Sequence, residues 1–348
     1  MSPKVYIIIV NWNGWQDTIE CLESVFHNSY SNYQVIVCDN ASEDMSLDKI
    51  KEWADGELTS NISTDETIAK NVYPYIKKPI EYVVYDREKA ESGDLLNQRN
   101  ESPLILIQTG ENLGFAGGNN VGIRYALSRD DFEYIWLLNN DTVIDKNALK
   151  YIVNRMKEKA SAGLCGSTLL YYSDPTIVQA CGGLYNKWTG TTRHFHAHIP
   201  YSADCEMGNI EERISYIVGA SMLVSKNFIC DIGLMCEEYF LYFEELDWAI
   251  RGKEKYVLAY APKSIVYHKE GKSTGLGDLK QQENNFSLYY ILRNRVLVTK
   301  KYFPYAYITV IGYLYLVLIK SLMKLNYKRA YTIFRVICES ILKRTCTY

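Results

Sequence analysis

The chain alternates short apolar runs with polar turns, and the runs follow two different periods. Val5 to Val10 is continuous and β-branched, the mark of a strand covered on both faces of a parallel sheet. Asn11 to Gly14 breaks the run. Ile19, Leu22, Val25 and Phe26 then recur at helical spacing, which predicts a helix over Thr18 to Phe26. Gln34 to Cys38 is a second strand, ending in Asp39-Asn40-Ala41-Ser42. Strand, turn, helix and strand in this order make a Rossmann-like half of an α/β fold. Further strands are predicted at Leu104 to Gln108, Tyr134 to Leu138, Gly163 to Leu170 and Ser215 to Ser225, with closing strands at Val257 to Ala261 and Ser264 to His268. Helices are predicted at Gly114 to Leu127, Ala148 to Lys157 and from Phe243 to Arg251. Residues about 55–100 are polar, weakly periodic and contain Pro74 and Pro79; they read as an insertion with a short hairpin around Glu81 to Tyr85. Gln179 to Met207, with three His and clustered Gly, reads as a hairpin or loop over the candidate site.

Beyond Gln281 the pattern changes. Phe286 to Lys301 is helical, and Tyr302 to Ile319 is an apolar run interrupted by Pro304, Thr309 and Gly312. At about 18 residues this run sits at the lower boundary for a spanning helix. Its density of Tyr and Phe fits an element lying in a membrane interface; the competing reading is a helix packed on the main body. The expected organisation is one large mixed-sheet domain over 1–285 and a basic, aromatic-rich helical extension over 286–348. Charge is divided along the same line. Residues 286–348 carry 11 Lys/Arg and one acid, a net of +10, against −3 for the whole chain and therefore −13 for residues 1–285. An acidic body with a basic tail argues against nucleic acid and for peripheral contact with an anionic membrane surface. The nine Cys show no metal spacing. They suit a reducing cytoplasm, most of them as small core residues. Met1-Ser2-Pro3-Lys4 runs straight into a strand, so no cleavable leader is expected. The 30 Tyr are more simply a compositional bias than a set of sugar platforms.

The candidate chemistry lies at strand ends, where open α/β sheets present ligand-binding groups. Asp141 follows the fourth strand in the triplet Asn139-Asn140-Asp141 and can hold a divalent cation; a helix cap is the competing reading. The two Asn are poor metal ligands and suit loop ordering or sugar binding. Asp39 can accept from a base N–H or a ribose hydroxyl, or cap the next helix. Asn112-Leu113-Gly114-Phe115-Ala116-Gly117-Gly118-Asn119-Asn120 lacks the Lys-Ser/Thr of a phosphate loop. Its glycines would still allow close approach of a nucleotide, and a helix N-terminus favours anions. Glu244 and Glu245 are adjacent carboxylates, one of which suits a general base with a raised pKa; acids enriched at a helix N-terminus are the plain alternative. His268, at a strand end, is a candidate second metal ligand. His194, His196 and His198 alternate and read as an exposed strand face.

Taken jointly, Ile9-Val10-Asn11-Trp12-Asn13-Gly14, Val37-Cys38-Asp39-Asn40-Ala41-Ser42, Glu111 to Asn119, Leu138 to Asp141, Gly219-Ala220-Ser221, Phe240 to Asp247 and His268 resemble glycosyltransferase family 2, of GT-A fold, and especially its rhamnosyltransferase-like branch. The resemblance covers roughly 1–275 outside the insertion. It implies an inverting enzyme that moves a sugar, L-rhamnose from dTDP-rhamnose, onto a hydroxyl of a lipid-linked or cell-surface polysaccharide, working at the inner face of the cell membrane. It makes Asp141 and His268 ligands of Mg2+ or Mn2+, and Glu245 the base with Glu244 as fallback. Asn11, Asn13, Asp39, Asn40, Asn112, Gly114, Phe115, Gly118, Asn119, Asn139 and Asn140 would bind the nucleotide-sugar. The family's metal triad is acidic in its first two places, and here these are Asn. Another donor, such as UDP-galactose, and a non-catalytic carbohydrate-binding protein are the alternatives.

Overall fold

The computed structural model describes residues 2–61, 63–92, 102–202, 207–269 and 285–342. Part of the expected insertion (93–101), Cys205 and Cys346 lie outside the described residues. The chain begins β1 (Val5–Asn11), α1 (Trp15–Phe26), β2 (Tyr33–Asp39) and α2 (Ser46–Asp55), then α3 (Glu66–Ala69), β3 (Tyr82–Asp86), α4 (Arg87–Glu91) and β4 (Leu104–Gln108). It continues through α5 (Gly114–Arg129), β5 (Tyr134–Asn139), β6 (Thr142–Ile144), α6 (Ala148–Glu158), β7 (Ala162–Tyr171) and β8 (Asp174–Ala180). A hairpin of β9 (Gly183–Asn186) and β10 (Thr191–His194) leads to α7 (Met207–Arg213), β11 (Ser221–Ser225), α8 (Lys226–Ile232), α9 (Glu244–Gly252) and β12 (Val257–His268). Three helices end the described chain: α10 (Asn285–Tyr302), α11 (Tyr307–Met323) and α12 (Tyr327–Leu342).

Ten strands form one mixed sheet in the order β3-β4-β2-β1-β5-β11-β7-β12-β6, with β8 added on β7. The first five are parallel; β11 runs antiparallel to β5 and β7. The period-2 geometry of a strand sends Val5, Ile7 and Ile9 into one apolar cluster and Tyr6 and Ile8 into the other. That is why β1 reads as unbroken hydrophobic sequence. Each buried Ile contributes about 1.5–3 kcal/mol.

Four local expectations change. Residues 82–86 form no hairpin; they are the sheet's edge strand, paired in parallel with β4. Asp86, its last residue, accepts from Lys89 N at 2.8 Å, which starts α4 and ends the strand. The strand expected from Ser215 starts at Ser221, because the chain before it bends past Gly219. The two closing strands are one, β12, with an irregular register between Ala261 and Ile265 around Pro262. Only His194 of the three alternating histidines is on a strand; His196 and His198 follow in a turn with positive φ, so they share no face. The thiols of Cys21, Cys38, Cys165 and Cys181 are buried, while Cys230 is exposed.

The last three helices share a small core of their own built on Leu288, Leu292, Leu314, Ile333 and Ile337. They are also tied to the main body. Asp247, fully buried on α9, accepts from Tyr302 Oη at 2.6 Å and Lys301 Nζ at 2.8 Å. Its own helix supplies Arg251 Nε at 2.8 Å, and Tyr239 Oη lies at 3.1 Å. The acidic cluster seen in sequence is therefore divided: Asp247 is a structural anion that fastens α10 to the body.

Candidate active site

β1, β2 and β5 end level. Asn11 pairs in register with Asp39, and Val10 with Asn139, so their polar tips share the carboxyl edge of the sheet. Asp39 is buried and already well supplied with donors. Its Oδ1 accepts from Asn11 Nδ2 at 2.7 Å and Ser42 Oγ at 2.6 Å, and its Oδ2 from Ser42 N and Gln108 Nε2, both at 3.1 Å. It caps its turn; to take up a further donor it must release one of these four. Asn13 belongs to the same knot, with its N–H on Ser42 Oγ at 2.9 Å and its Oδ1 accepting from Glu43 N at 2.7 Å.

The glycine-rich segment is mostly helix. Gly114 opens α5 with φ +69, and its N–H donates to Asn112 Oδ1 at 3.0 Å. A Cβ on Gly118 would lie 2.8 Å from Val10 and 2.9 Å from Asn40. One turn on, a Cβ on Gly122 would lie 2.8 Å from Ile8. Gly118 thus faces the seam between α5 and the sheet, where its lack of a side chain lets the helix settle. Asn40 closes this seam by donating to Gly114 O at 2.9 Å. Asn119 bonds back to Phe115 O at 2.9 Å within the helix.

The triplet after β5 separates its three side chains. Asn139 lines the cleft. Asn140 turns away and donates to Thr18 Oγ1 at 3.0 Å, so it orders the loop against α1. Asp141, 2% exposed, faces His268, whose Nε2 is 3.2 Å from its Oδ1. His268 Nδ1 lies 2.8 Å from Oε1 of the fully buried Gln179. An amide oxygen only accepts, so Nδ1 carries the proton. In the neutral ring, Nε2 then turns a lone pair toward a carboxylate oxygen that has no hydrogen-bond donor. Two acceptors in contact want a cation between them: a proton on Nε2, or a metal. Burial raises the Asp141 carboxyl, but with a proton on Nε2 the charge and hydrogen bond of His268, helped by Lys269, outweigh it and hold the carboxyl below its usual range.

On the other side, the loop into α9 passes through Phe240, Tyr242 and Phe243 at φ +63, +69 and +76. Side chains of this size avoid that region, so the loop must be held from outside. Asn294 of α10, fully buried, places Nδ2 within 2.8–2.9 Å of three of its carbonyls, Tyr239, Leu241 and Tyr242. Phe115 N adds a bond to Phe240 O at 2.7 Å. Glu244 and Glu245 follow at once. Glu244 is buried, its Oε2 without a donor, and burial, then the charge of Glu245, push its carboxyl well above the ordinary range. Glu245 reaches the cleft, accepts from Gly219 N at 3.2 Å and is raised by burial. Both carboxyls are therefore raised, and as close neighbours they titrate as a pair.

A single cavity of about 310 Å³ is lined by Asp141, His268, Glu244 and Glu245, with Phe115 and Asn139. Three groups distant in the chain thus face one space. Residues 6–67 and 64–196 match the model of Glycosyl transferase family 2. The chain belongs to this family. Its GT-A fold is shared with two solved glycosyltransferases. The mannosyltransferase PcManGT of Pyrobaculum calidifontis, in complex with GDP-Man and Mn2+, superposes at TM-score 0.52 and 12% identity over 99% of this chain and 89% of that one. GalNAc-T7 with UDP, GalNAc and Mn2+ gives 0.54 at 12% identity, over 85% of this chain and 48% of that one. The low-salt glycan biosynthesis hexosyltransferase Agl10 of Haloferax volcanii is 26% identical over 249 residues, 70% of this chain and 74% of that protein.

For a family 2 glycosyltransferase the donor set is sparse. No group of three or more His, Cys, Asp or Glu able to hold a metal occurs among the described residues. Asp141 and His268 still fit a divalent cation, because such ions often bind through one or two protein groups and the substrate's phosphates. Sequence reasoning missed several groups around the cleft. Gln179 sets the His268 tautomer, and Thr192, His194 and Tyr216 line the cavity. Asn294 lies in a helix that reads as appendage. Only His194 gave any signal, as one of an alternating set.

Proposed function

We propose that the protein is an inverting hexosyltransferase that moves a sugar from a nucleoside diphosphate donor to a hydroxyl of a glycan acceptor. What supports this reading is the convergence of Asp141, His268 and Glu245 on one cavity. The carboxyl edge around Asn11, Asn13, Asp39 and Asn40 receives the nucleotide, with Asn112 and Asn139 toward its diphosphate and sugar. Asp141 and His268 would hold Mg2+ or Mn2+. Bound there, the ion neutralises charge building on the departing diphosphate. Glu245 takes the proton of the acceptor hydroxyl. The freed oxygen attacks the anomeric carbon from the face opposite the diphosphate, the bond from that carbon to the diphosphate oxygen breaks, and configuration inverts.

Agl10 is a hexosyltransferase of glycan biosynthesis, which favours this acceptor class. The Asn139-Asn140-Asp141 triplet favours L-rhamnose from dTDP-rhamnose as donor. The basic extension of α10 to α12 favours work at the inner face of the cell membrane, with residues 1–285 as the catalytic domain. A panel of nucleotide-sugars, each assayed for binding and for hydrolysis with Mg2+ or Mn2+, tests the reading. Binding and turnover of one donor are expected; binding of free glycans with no nucleotide-sugar turnover would leave only a carbohydrate-binding protein.

A further inference from the structure

Arg295 of α10 is 9% exposed, and among the described residues the groups acting on its charge are Tyr313 and Tyr185, neither a carboxylate. Its Nε has no hydrogen-bond acceptor, and its ring contact is with Tyr313 at 5.7 Å. Burial lowers the guanidinium below its ordinary value, yet arginine keeps its charge in proteins. A buried cation with no counter-ion costs stability unless a ligand supplies the anion. The neighbouring hairpin has made room for this side chain: a Cβ on Gly190 would lie 2.4 Å from Arg295 Cγ.

Arg295 lines a cavity of about 220 Å³ between α10, α11 and α12. Ile291 lines both this cavity and the catalytic one. On its other side, Tyr313, Val317 and Arg329 are shared with an outer groove of about 690 Å³ that Lys320 and Lys324 also line. Among the described residues no acid lines either space. The outer groove opens beside an apolar face: Leu316 is 65% exposed and Met323 79%. Pro304–Met323 is, among the described residues, the segment long and apolar enough to cross a bilayer, with mean hydropathy 1.7 and 28% of it buried. The order from inside to outside is thus base, buried cation, surface cations, exposed apolar helix.

We propose that the passage between α10, α11 and α12 binds the phosphate or diphosphate of a lipid-carried acceptor, with Arg295 as its innermost contact. The glycan then points past Ile291 toward Glu245, and the lipid leaves along α11. An ordinary membrane phospholipid has no need of a path to the catalytic cavity, so the acceptor's own carrier is the occupant. This assignment rests on the glycosyltransferase reading for its direction, but the binding site is testable without transfer.

The full chain is titrated calorimetrically with farnesyl diphosphate, inorganic pyrophosphate and phosphatidylglycerol vesicles. Farnesyl diphosphate should bind, and Arg295→Gln should weaken it about 10-fold or more, the size expected for one charged contact. Pyrophosphate should bind more weakly than the lipid diphosphate, and vesicle binding should be unchanged by Arg295→Gln. Should that variant not fold, the exposed pair Lys320→Gln/Lys324→Gln carries the same test, with a smaller loss expected. Farnesyl diphosphate affinity unchanged in the folded variants, or vesicle binding lost in parallel with it, overturns the proposal. Nucleotide-sugar hydrolysis is followed in the same samples. Its absence in wild type counts against the glycosyltransferase reading alone, whereas its persistence in a variant that no longer binds farnesyl diphosphate isolates the lipid site.

Discussion

His268 Nε2 and Asp141 Oδ1 stand 3.2 Å apart at the end of the sheet, one contributed by β12 and the other by the turn that follows β5. Gln179 holds the far side of the imidazole. If the pair holds a cation, the buried amide is part of that site. Asp141→Ala should abolish the response of donor binding to Mn2+, and Gln179→Ala should weaken metal affinity about 10- to 100-fold. Electron paramagnetic resonance of Mn2+ titrated into each variant measures this directly. Equal Mn2+ affinity in wild type and Asp141→Ala would mean that the pair is an imidazolium–carboxylate bridge instead.

Glu245→Gln should remove transfer, with a loss of at least about 100-fold, while donor affinity stays within about 2-fold. Glu244→Gln should cost far less, because burial and the charge of Glu245 disfavour the ionised form of that carboxyl. The two variants compared under single-turnover conditions decide which carboxylate is the base.

The pH dependence has a definite sign. Burial raises the Glu245 carboxyl, and a base works only when ionised. Rate should therefore fall as pH drops through this raised value, at a pH above the ordinary glutamate range. A profile flat down to the ordinary range would speak for a base other than Glu245.

Asp247 has the opposite shift. Burial would raise it, but hydrogen bonds from Lys301 and Tyr302 and the charge of Arg251 hold it low. A depressed carboxyl adds stability above its unfolded pKa, and that stability is lost as pH falls through the folded value. Asp247→Asn should cost about 3–5 kcal/mol at neutral pH, the usual loss on breaking a buried ion pair. The deficit should shrink on acidification, which thermal melts of both proteins across the acid range would reveal.

Gly114→Ala should damage both fold and rate. Its Cβ would meet Phe240 O at 2.2 Å, and Gly114 already has φ +69. Backbone cannot yield as a flexible side chain can, so the loop ahead of Glu244 must move. A cost of about 1–3 kcal/mol is expected, with lower kcat than the stability loss explains. A melting temperature and kcat equal to wild type would show that the loop adapts freely.

Much of this was legible along the chain. Val5 to Val10 announced a strand buried on both faces, and Asn139-Asn140-Asp141 announced a strand end that opens into a polar turn. Those signals are local, since side-chain alternation and turn chemistry act over a few residues. The Tyr82–Asp86 strand was misread because the parallel partner that completes its pairing, β4, lies beyond another helix. That Gly118 and Gly122 after Asn112 face β1 was not legible, for composition does not say which surface a bare Cα must approach.

The sequence by itself determined the mixed α/β order, the acids available to the site and the basic character of the tail. The tertiary structure alone decided their roles. Burial and distance, which follow from packing, divided Glu244, Glu245 and Asp247 into a buried acid with a raised carboxyl, a carboxylate at the cleft and a structural anion. Packing also turned an apparent appendage into the support of the loop ahead of Glu244, because Asn294 and the carbonyls it holds become neighbours only when α10 folds back onto the sheet domain.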